Sequence, residues 1–262
     1  MNICIDAGHT KGTNHSPCGY GYSEGTRMFE YSFMLGEELA KYKDVNVIYT
    51  RKKITDNPDL KERANIARMC DLMLSLHTNA VGSGISNGTD YVVVFRSIFD
   101  TGVDFSAKMA KAIAETMETT QRSQALTKRN EAGNADYYGI IRHAQSLGVR
   151  CLLLEHSFHT DCAMTRWLMN DANLRKLAIA EAAVVAQEYN LTKEDNEMRY
   201  QTLADLKADK EFGGAYLPTI EKLIAKGYLK GKGGSGDELI LDLSEDSVRI
   251  LVILDRAGNF ND

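Results

Sequence analysis

The sequence predicts an α/β fold: a twisted, mostly parallel sheet flanked by helices, followed by a small helical C-terminal module. Three observations carry this expectation. Short apolar runs alternate with helix-period segments over residues 1–190. Three of those runs close on a histidine or a glutamate: Ile3-Cys4-Ile5-Asp6-Ala7-Gly8-His9, Leu72-Met73-Leu74-Ser75-Leu76-His77 and Val149-Arg150-Cys151-Leu152-Leu153-Leu154-Glu155. In open α/β sheets chemistry collects at the carboxyl ends of strands. Beyond residue 190 the texture changes to a polar stretch and then short helical segments.

The first strand is expected to turn at Gly8, whose backbone freedom would leave His9 at the sheet edge. A glycine-rich loop follows over residues 10–26, then a helix over 28–42 with Tyr31, Leu35, Leu39 and Tyr42 on its core face. Residues 45–50 read as the second strand, 59–70 as a helix and 72–76 as the third strand. After a flexible loop, 90–95 reads as a fourth strand. Phe105, Met109, Ala112 and Ile113 then mark an amphipathic helix. A polar loop over 119–138 leads into Gly139-Ile140-Ile141-Arg142, read as a short strand, and then into the strand ending at Glu155. A last helix spans 172–189. The domain organisation expected is therefore 1–190, a linker at 191–199, and a helical module over 200–262.

Composition excludes several function classes. With 26% charged residues and a formal net charge of −5, no basic excess points to nucleic acid, and the apolar runs are too short to span a bilayer, so no membrane insertion is expected. The opening residues carry neither a basic n-region nor a long apolar h-region, so no signal peptide is expected. The five cysteines are odd in number and lack CxxC spacing. Cys4, Cys70 and Cys151 lie in apolar runs and are expected as buried thiols, in a chain that folds in a reducing cytoplasm.

The three strand ends suggest a metal site. Catalytic zinc takes three His or carboxylate ligands and keeps a fourth position for water, whose proton a nearby carboxylate accepts. His9, His77 and one early glutamate would be the ligands, leaving Glu155 as the base. A single histidine after a strand is more often a hydrogen-bonded structural residue; three such strand ends together favour a site. A carboxylate directly after Cys-Leu-Leu-Leu is costly to bury without a partner.

Ile-Asp-Ala-Gly-His9, Phe-Glu30-Tyr-Ser-Phe-Met-Leu, Ser-Leu-His77-Thr-Asn-Ala and Leu-Leu-Glu155-His-Ser-Phe-His-Thr-Asp, in this order, resemble the motifs of zinc-dependent N-acetylmuramoyl-L-alanine amidases of the amidase-3 type. The pair Thr50-Arg51 and the stretch Leu-Lys-Glu-Arg-Ala-Asn at 60–65 fit the same resemblance, which spans residues 1–189. It implies Zn2+ held by His9, Glu30 and His77, with Glu155 as catalytic acid/base. The implied substrate is peptidoglycan, at the amide joining N-acetylmuramic acid to L-alanine. Glu30 is preferred over the nearby Glu24 because it opens the helix expected at 31–42, as the family's ligand does; Glu24 falls in the glycine-rich loop. Asp6 would orient His9 or else cap the turn, the two readings standing even. Asn79, Tyr138 and Arg142 are candidate substrate-cleft residues, and His15 and His143 are given no role. His156 and His159 flank Glu155 and read as solvated histidines, the alternative being that one bonds substrate.

Residues 215–231 loosely resemble an S-layer-homology repeat in layout, but the second helix lacks that repeat's signature, having Leu243-Ser244-Glu245-Asp246. The module is expected to bind a secondary cell-wall polymer or to make a homodimer, which would add avidity. An appended module without a signal peptide fits a phage or prophage endolysin of a Gram-positive, clostridial-type host. Such a protein waits in the host cytoplasm and then acts at the wall. The competing functions are a zinc peptidase or carboxypeptidase acting on stem peptides and an inactive wall-binding protein on the same scaffold. Retention of all the expected site residues counts against the latter.

Overall fold

The structure is a computed structural model and describes residues 1–193 and 199–260. It divides into two compact units, Met1–Glu194 and Asp195–Asp262.

The first unit runs β1 (Asn2–Ala7), α1 (Glu24–Leu39), β2 (Asn46–Tyr49), α2 (Leu60–Ile66), β3 (Leu72–Asn79), β4 (Val93–Arg96), α3 (Val103–Met117), β5 (Gln124–Leu126), α4 (Gly139–Ser146), β6 (Arg150–Phe158), α5 (Cys162–Leu168) and α6 (Asp171–Tyr189). Its strands form one sheet in the order β2-β1-β3-β6-β4-β5. The first four in that order are mutually parallel, and β4 runs antiparallel to β6. The mostly parallel sheet flanked by helices is thus present.

Alternation along the strands sorts the core into two layers. Ile3, Ile5, Leu72, Leu74, Leu76, Leu152 and Leu154 pack against the apolar faces of α1, α3 and α6. Cys4, Met73, Cys151 and Leu153 pack on the other side with Ala67, Ile140, Ile141 and Ala144. Helix α2 shows why its start is legible: Asp59 accepts from the Glu62 amide while Glu62 reaches back to the Asp59 amide, a full capping box.

Several expectations change. Residues 139–142 open a helix, with Ile140, Ile141 and Ala144 inward at helical spacing. The glutamate at 155 does not end its strand, since β6 continues to Phe158. Helix α1 begins at Glu24, well before residue 28. Cys18 and Cys162 form a disulfide across 144 residues, which no local spacing announced, while Cys4, Cys70 and Cys151 are buried free thiols.

The second unit is not purely helical. β7 (Arg199–Thr202) pairs antiparallel with β8 (Ile240–Ser244), and three helices, α7 (Leu203–Ala208), α8 (Gly213–Ala225) and α9 (Glu245–Arg256), complete it. Tyr200, Leu206, Ile220, Leu223, Val248 and Val252 form its own small core. Pro218 sits inside α8, later than the first turn. Of the linker expected at 191–199, residues 194–198 lie outside the described residues. Thr192 instead accepts a hydrogen bond from the Lys43 amide in the first unit.

Candidate metal centre and active site

Sheet order does most of the assembly. β1, β3 and β6 are adjacent, so the segments after or within their carboxyl ends share one edge of the sheet. His77 and Glu155 are register partners on neighbouring strands and project to the same side. His9 follows β1 with φ of 59°, a left-handed conformation uncommon outside glycine. Gly8 keeps an ordinary φ; its role is different from the turn expected. A Cβ there would lie 2.6 Å from both ring nitrogens of His77, so the imidazole rests directly on the glycine.

The carboxylate between the two imidazoles is Glu24. Its Oε1 lies 3.0 Å from His77 Nδ1 and 3.4 Å from His9 Nε2. The three ligating atoms of His9, Glu24 and His77 all fall within 4.8 Å of one another. Glu30, expected from the resemblance, does not join them. Its half-exposed carboxylate takes a 2.7 Å hydrogen bond from Arg27. The reasoning that favoured Glu30 applies to Glu24, because α1 opens at Glu24 with Ser23 as its N-cap.

Asn14 donates 2.7 Å to Glu24 Oε2, and the Thr78 amide donates 2.9 Å to Oε1. Burial works to raise the Glu24 carboxyl, but hydrogen bonds from His77 and His9 hold it well below the usual carboxylate range. Burial alone would depress His77, yet Glu24 lifts it to about 9. Donor atoms in a tetrahedral zinc-type site, with bonds of about 2.0–2.2 Å, stand roughly 3.3–3.6 Å apart. Two imidazoles and one carboxylate at these separations fit a divalent cation.

Glu155 lines the same cavity of about 390 Å³, with His15, Asn79, His159 and Thr160 among the other walls. Its Oε2 is buried and has no hydrogen-bond partner among the described residues. Burial pushes its carboxyl up to about 7, with His77 pulling the other way. A carboxylate poised near neutrality beside a cation site can take up and return a proton.

The remaining candidates divide. Asn79 lines the cavity, and so does His15, which had been given no role. Tyr138 packs on Phe95 at 4.6 Å between ring centres, outside the lining of this cavity. Arg142 donates to the carbonyls of Asp136 and Tyr137, bracing the loop before α4. Asp6 neither touches the His9 ring nor caps the turn. It accepts from Thr50, Arg63 and Ser75, and Arg63 in turn donates 2.6 Å to each of the Ala7 and His9 carbonyls. Arg51 likewise donates to the Gly25 carbonyl at 2.9 Å and reaches that of Gly8 at 3.4 Å. The expectation that His156 and His159 are solvated is overturned, since both are buried and His159 bonds Thr78. Sequence reasoning missed Asn14, and Tyr22 and Thr78, which are hydrogen-bonded to each other. Each is an ordinary polar residue whose role depends on long-range packing.

A helix–sheet–helix unit that gathers two imidazoles and two carboxylates around one open cavity is built as a hydrolytic enzyme. Residues 3–187 match the Amidase_3 family, described as N-acetylmuramoyl-L-alanine amidase, and the chain belongs to that family. No curated protein matches it. Among solved structures, the catalytic domain of CwlV, an N-acetylmuramoyl-L-alanine amidase from Bacillus (Paenibacillus) polymyxa var. colistinus, is similar in fold. It shares 18% identity with a TM-score of 0.60, covering 73% of this chain and 99% of that one. The N-acetylmuramoyl-L-alanine amidase of Clostridium difficile 630 matches at 19% identity and TM-score 0.61, over 72% of this chain and 96% of its own. CwlD from Clostridioides difficile, solved with the GerS lipoprotein, matches at 15% and 0.59, over 72% and 98%.

Proposed function

We propose that the protein is a zinc-dependent amidase that hydrolyses the bond between the lactyl group of N-acetylmuramic acid and the L-alanine of the stem peptide. The observation that carries this reading is the convergence of His9, Glu24 and His77, with Glu155 in the same cavity. His9, Glu24 and His77 would hold the ion. Zinc in such a site supplies a water of lowered pKa and polarises the scissile carbonyl. Glu155 accepts the water's proton on its unpartnered oxygen and returns it to the leaving alanine nitrogen. Asn14 and the Thr78 amide hold the Glu24 carboxylate in place, fixing the oxygen it presents to the two rings. Arg63 and Arg51 fix the main chain beneath His9 and Gly25, so the donor atoms share one frame.

Purified peptidoglycan incubated with the zinc-loaded protein should release new amino groups on L-alanine and no new reducing sugars. New amines on D-alanine or diaminopimelate alone would reject the amidase reading in favour of a stem-peptide peptidase. In the same proposal the setting is cell-wall lysis of the endolysin kind, with the second unit attaching the enzyme to a secondary wall polymer. Its support is the separate core of that unit. Cosedimentation of the Glu155→Gln protein with walls before and after their secondary polymers are stripped tests this. Equal binding to both counts against it.

A further inference from the structure

Beneath the site lies a buried ion pair that the proposed chemistry does not use. Side chains alternate along β6, so Glu155 projects into the cavity while His156 projects to the opposite layer, among the residues packed on α6. His156 Nε2 lies 2.7 Å from Oε1 of Glu181 on α6, and both side chains are fully buried. His156 Nδ1 donates 2.9 Å to the main-chain carbonyl of His77. That carbonyl stands where the register between β3 and β6 slips, between His77 and Asn79. The Tyr31 ring of α1 closes the pocket edge-on, 5.4 Å from the imidazole.

Stability does not explain this arrangement. The buried face of α6 is otherwise built of Leu174, Leu177, Ala178, Ala182, Val185 and Ala186, and Glu181 Oε2 and the nearby Tyr31 hydroxyl are buried without a closed hydrogen bond among the described residues. An apolar pair of similar volume in such a place is often as stable or more so. What an apolar pair cannot do is donate a hydrogen bond to the His77 carbonyl at an interruption of the ladder.

We propose that the His156–Glu181 pair is a positioning device: it ties α6 to the His77 main chain and so fixes both the His77 imidazole and the adjoining Glu155. The proposal rests on the metal reading above, and its test separates the two. Zinc affinity is measured by chelator competition on the full chain, alongside melting temperature and the kinetics of amine release at saturating zinc. His156→Leu with Glu181→Leu removes the donor without stranding a charge. It should keep or raise the melting temperature yet weaken zinc binding by about 10–100-fold, the range for lost supports behind a ligand. At saturating zinc its kcat should fall while KM stays within about twofold, a transition-state and not a binding loss. His156→Asn with Glu181→Leu restores a donor near the Nδ1 position and should recover most of the affinity.

Should the leucine pair fail to fold, the same measurements on His156→Met with Glu181→Met, a more adaptable filler, take its place. A folded double variant with wild-type zinc affinity and kcat overturns the proposal and leaves the amidase reading standing. A wild-type protein that binds no zinc overturns both.

Discussion

Replacing Gly8 with alanine isolates the geometry of the centre from the stability of the fold. The added methyl would sit 2.6 Å from both nitrogens of the His77 ring, where ordinary contact begins at 3.4 Å. The ring must therefore move by about 1 Å, several times the roughly 0.2 Å tolerance of a metal–ligand distance. Gly8 does not occupy the left-handed region, so alanine meets no backbone penalty there, and the obstacle is a side chain that can swing aside. We expect a metal-free protein within about 1 kcal/mol of the parent and zinc affinity lower by at least about 100-fold. Chelator competition and thermal melting of the stripped protein measure the two quantities. Gly12→Ala is the control: its φ of 72° strains an alanine, but nothing lies within 4 Å of the new methyl. It should lose about 1 kcal/mol and keep its affinity for the ion. Wild-type zinc affinity in Gly8→Ala would refute the placement of His77 among the ligands.

Four further outcomes are expected. Glu24→Gln should lose zinc and hydrolysis, whereas Glu30→Ala should keep both and cost at most about 1 kcal/mol, as a partly exposed pair does; zinc content per chain decides between them. Glu155→Gln should abolish amine release. Because burial raises this carboxyl to about 7 in the fold, the native protein loses stability as the pH climbs through that value. Metal-free Glu155→Gln should therefore be more stable than the parent by about 3 kcal/mol at pH 8 and equal to it near pH 4; equal melting at both would contradict the burial argument. Asp6 behaves oppositely: despite its burial, Arg63 and two hydroxyls hold it below the usual range, so its contribution is full above about pH 4 and vanishes in acid. Asp6→Asn strands Arg63 and should cost about 3–5 kcal/mol in neutral denaturant melts. Replacing Cys18 and Cys162 with serine opens a 144-residue loop and should cost about 2–5 kcal/mol; an unchanged melting temperature under non-reducing conditions would be inconsistent with the crosslink.

The site strands were legible because the physics is local: an apolar run has to be a strand or a buried helix, and a histidine or glutamate after it stands out, although β3 and β6 run on past His77 and Glu155. The missing ligand was not local. Ser23-Glu24-Gly25-Thr26 reads as loop because glycine weakens helices, yet Gly25 lies in the first turn of α1. A Cβ there would run into the Thr10 carbonyl oxygen, so the residue serves close packing and not chain flexibility. Ile140-Ile141 was too short a run to separate strand from helix, and only the third inward residue, Ala144, reveals the helical period. Edge strand β5 and strand β7 are only three and four residues long, with registry set by partners far along the chain. The Cys18–Cys162 link and the pairing of His156 with Glu181 likewise depend on contacts that no sequence window contains.

The clasp that Arg51 and Arg63 place on the carbonyls of Ala7, Gly8, His9 and Gly25 has a practical consequence. On the proposed reading, the donor atoms would be held ready by guanidinium groups that bond main-chain carbonyls and not the ligating side chains. Demetallation should therefore silence the enzyme while sparing its architecture, and replenishment should revive it without refolding. In that respect the molecule resembles a socket more than a zinc finger, in which the ion itself drives the chain to fold.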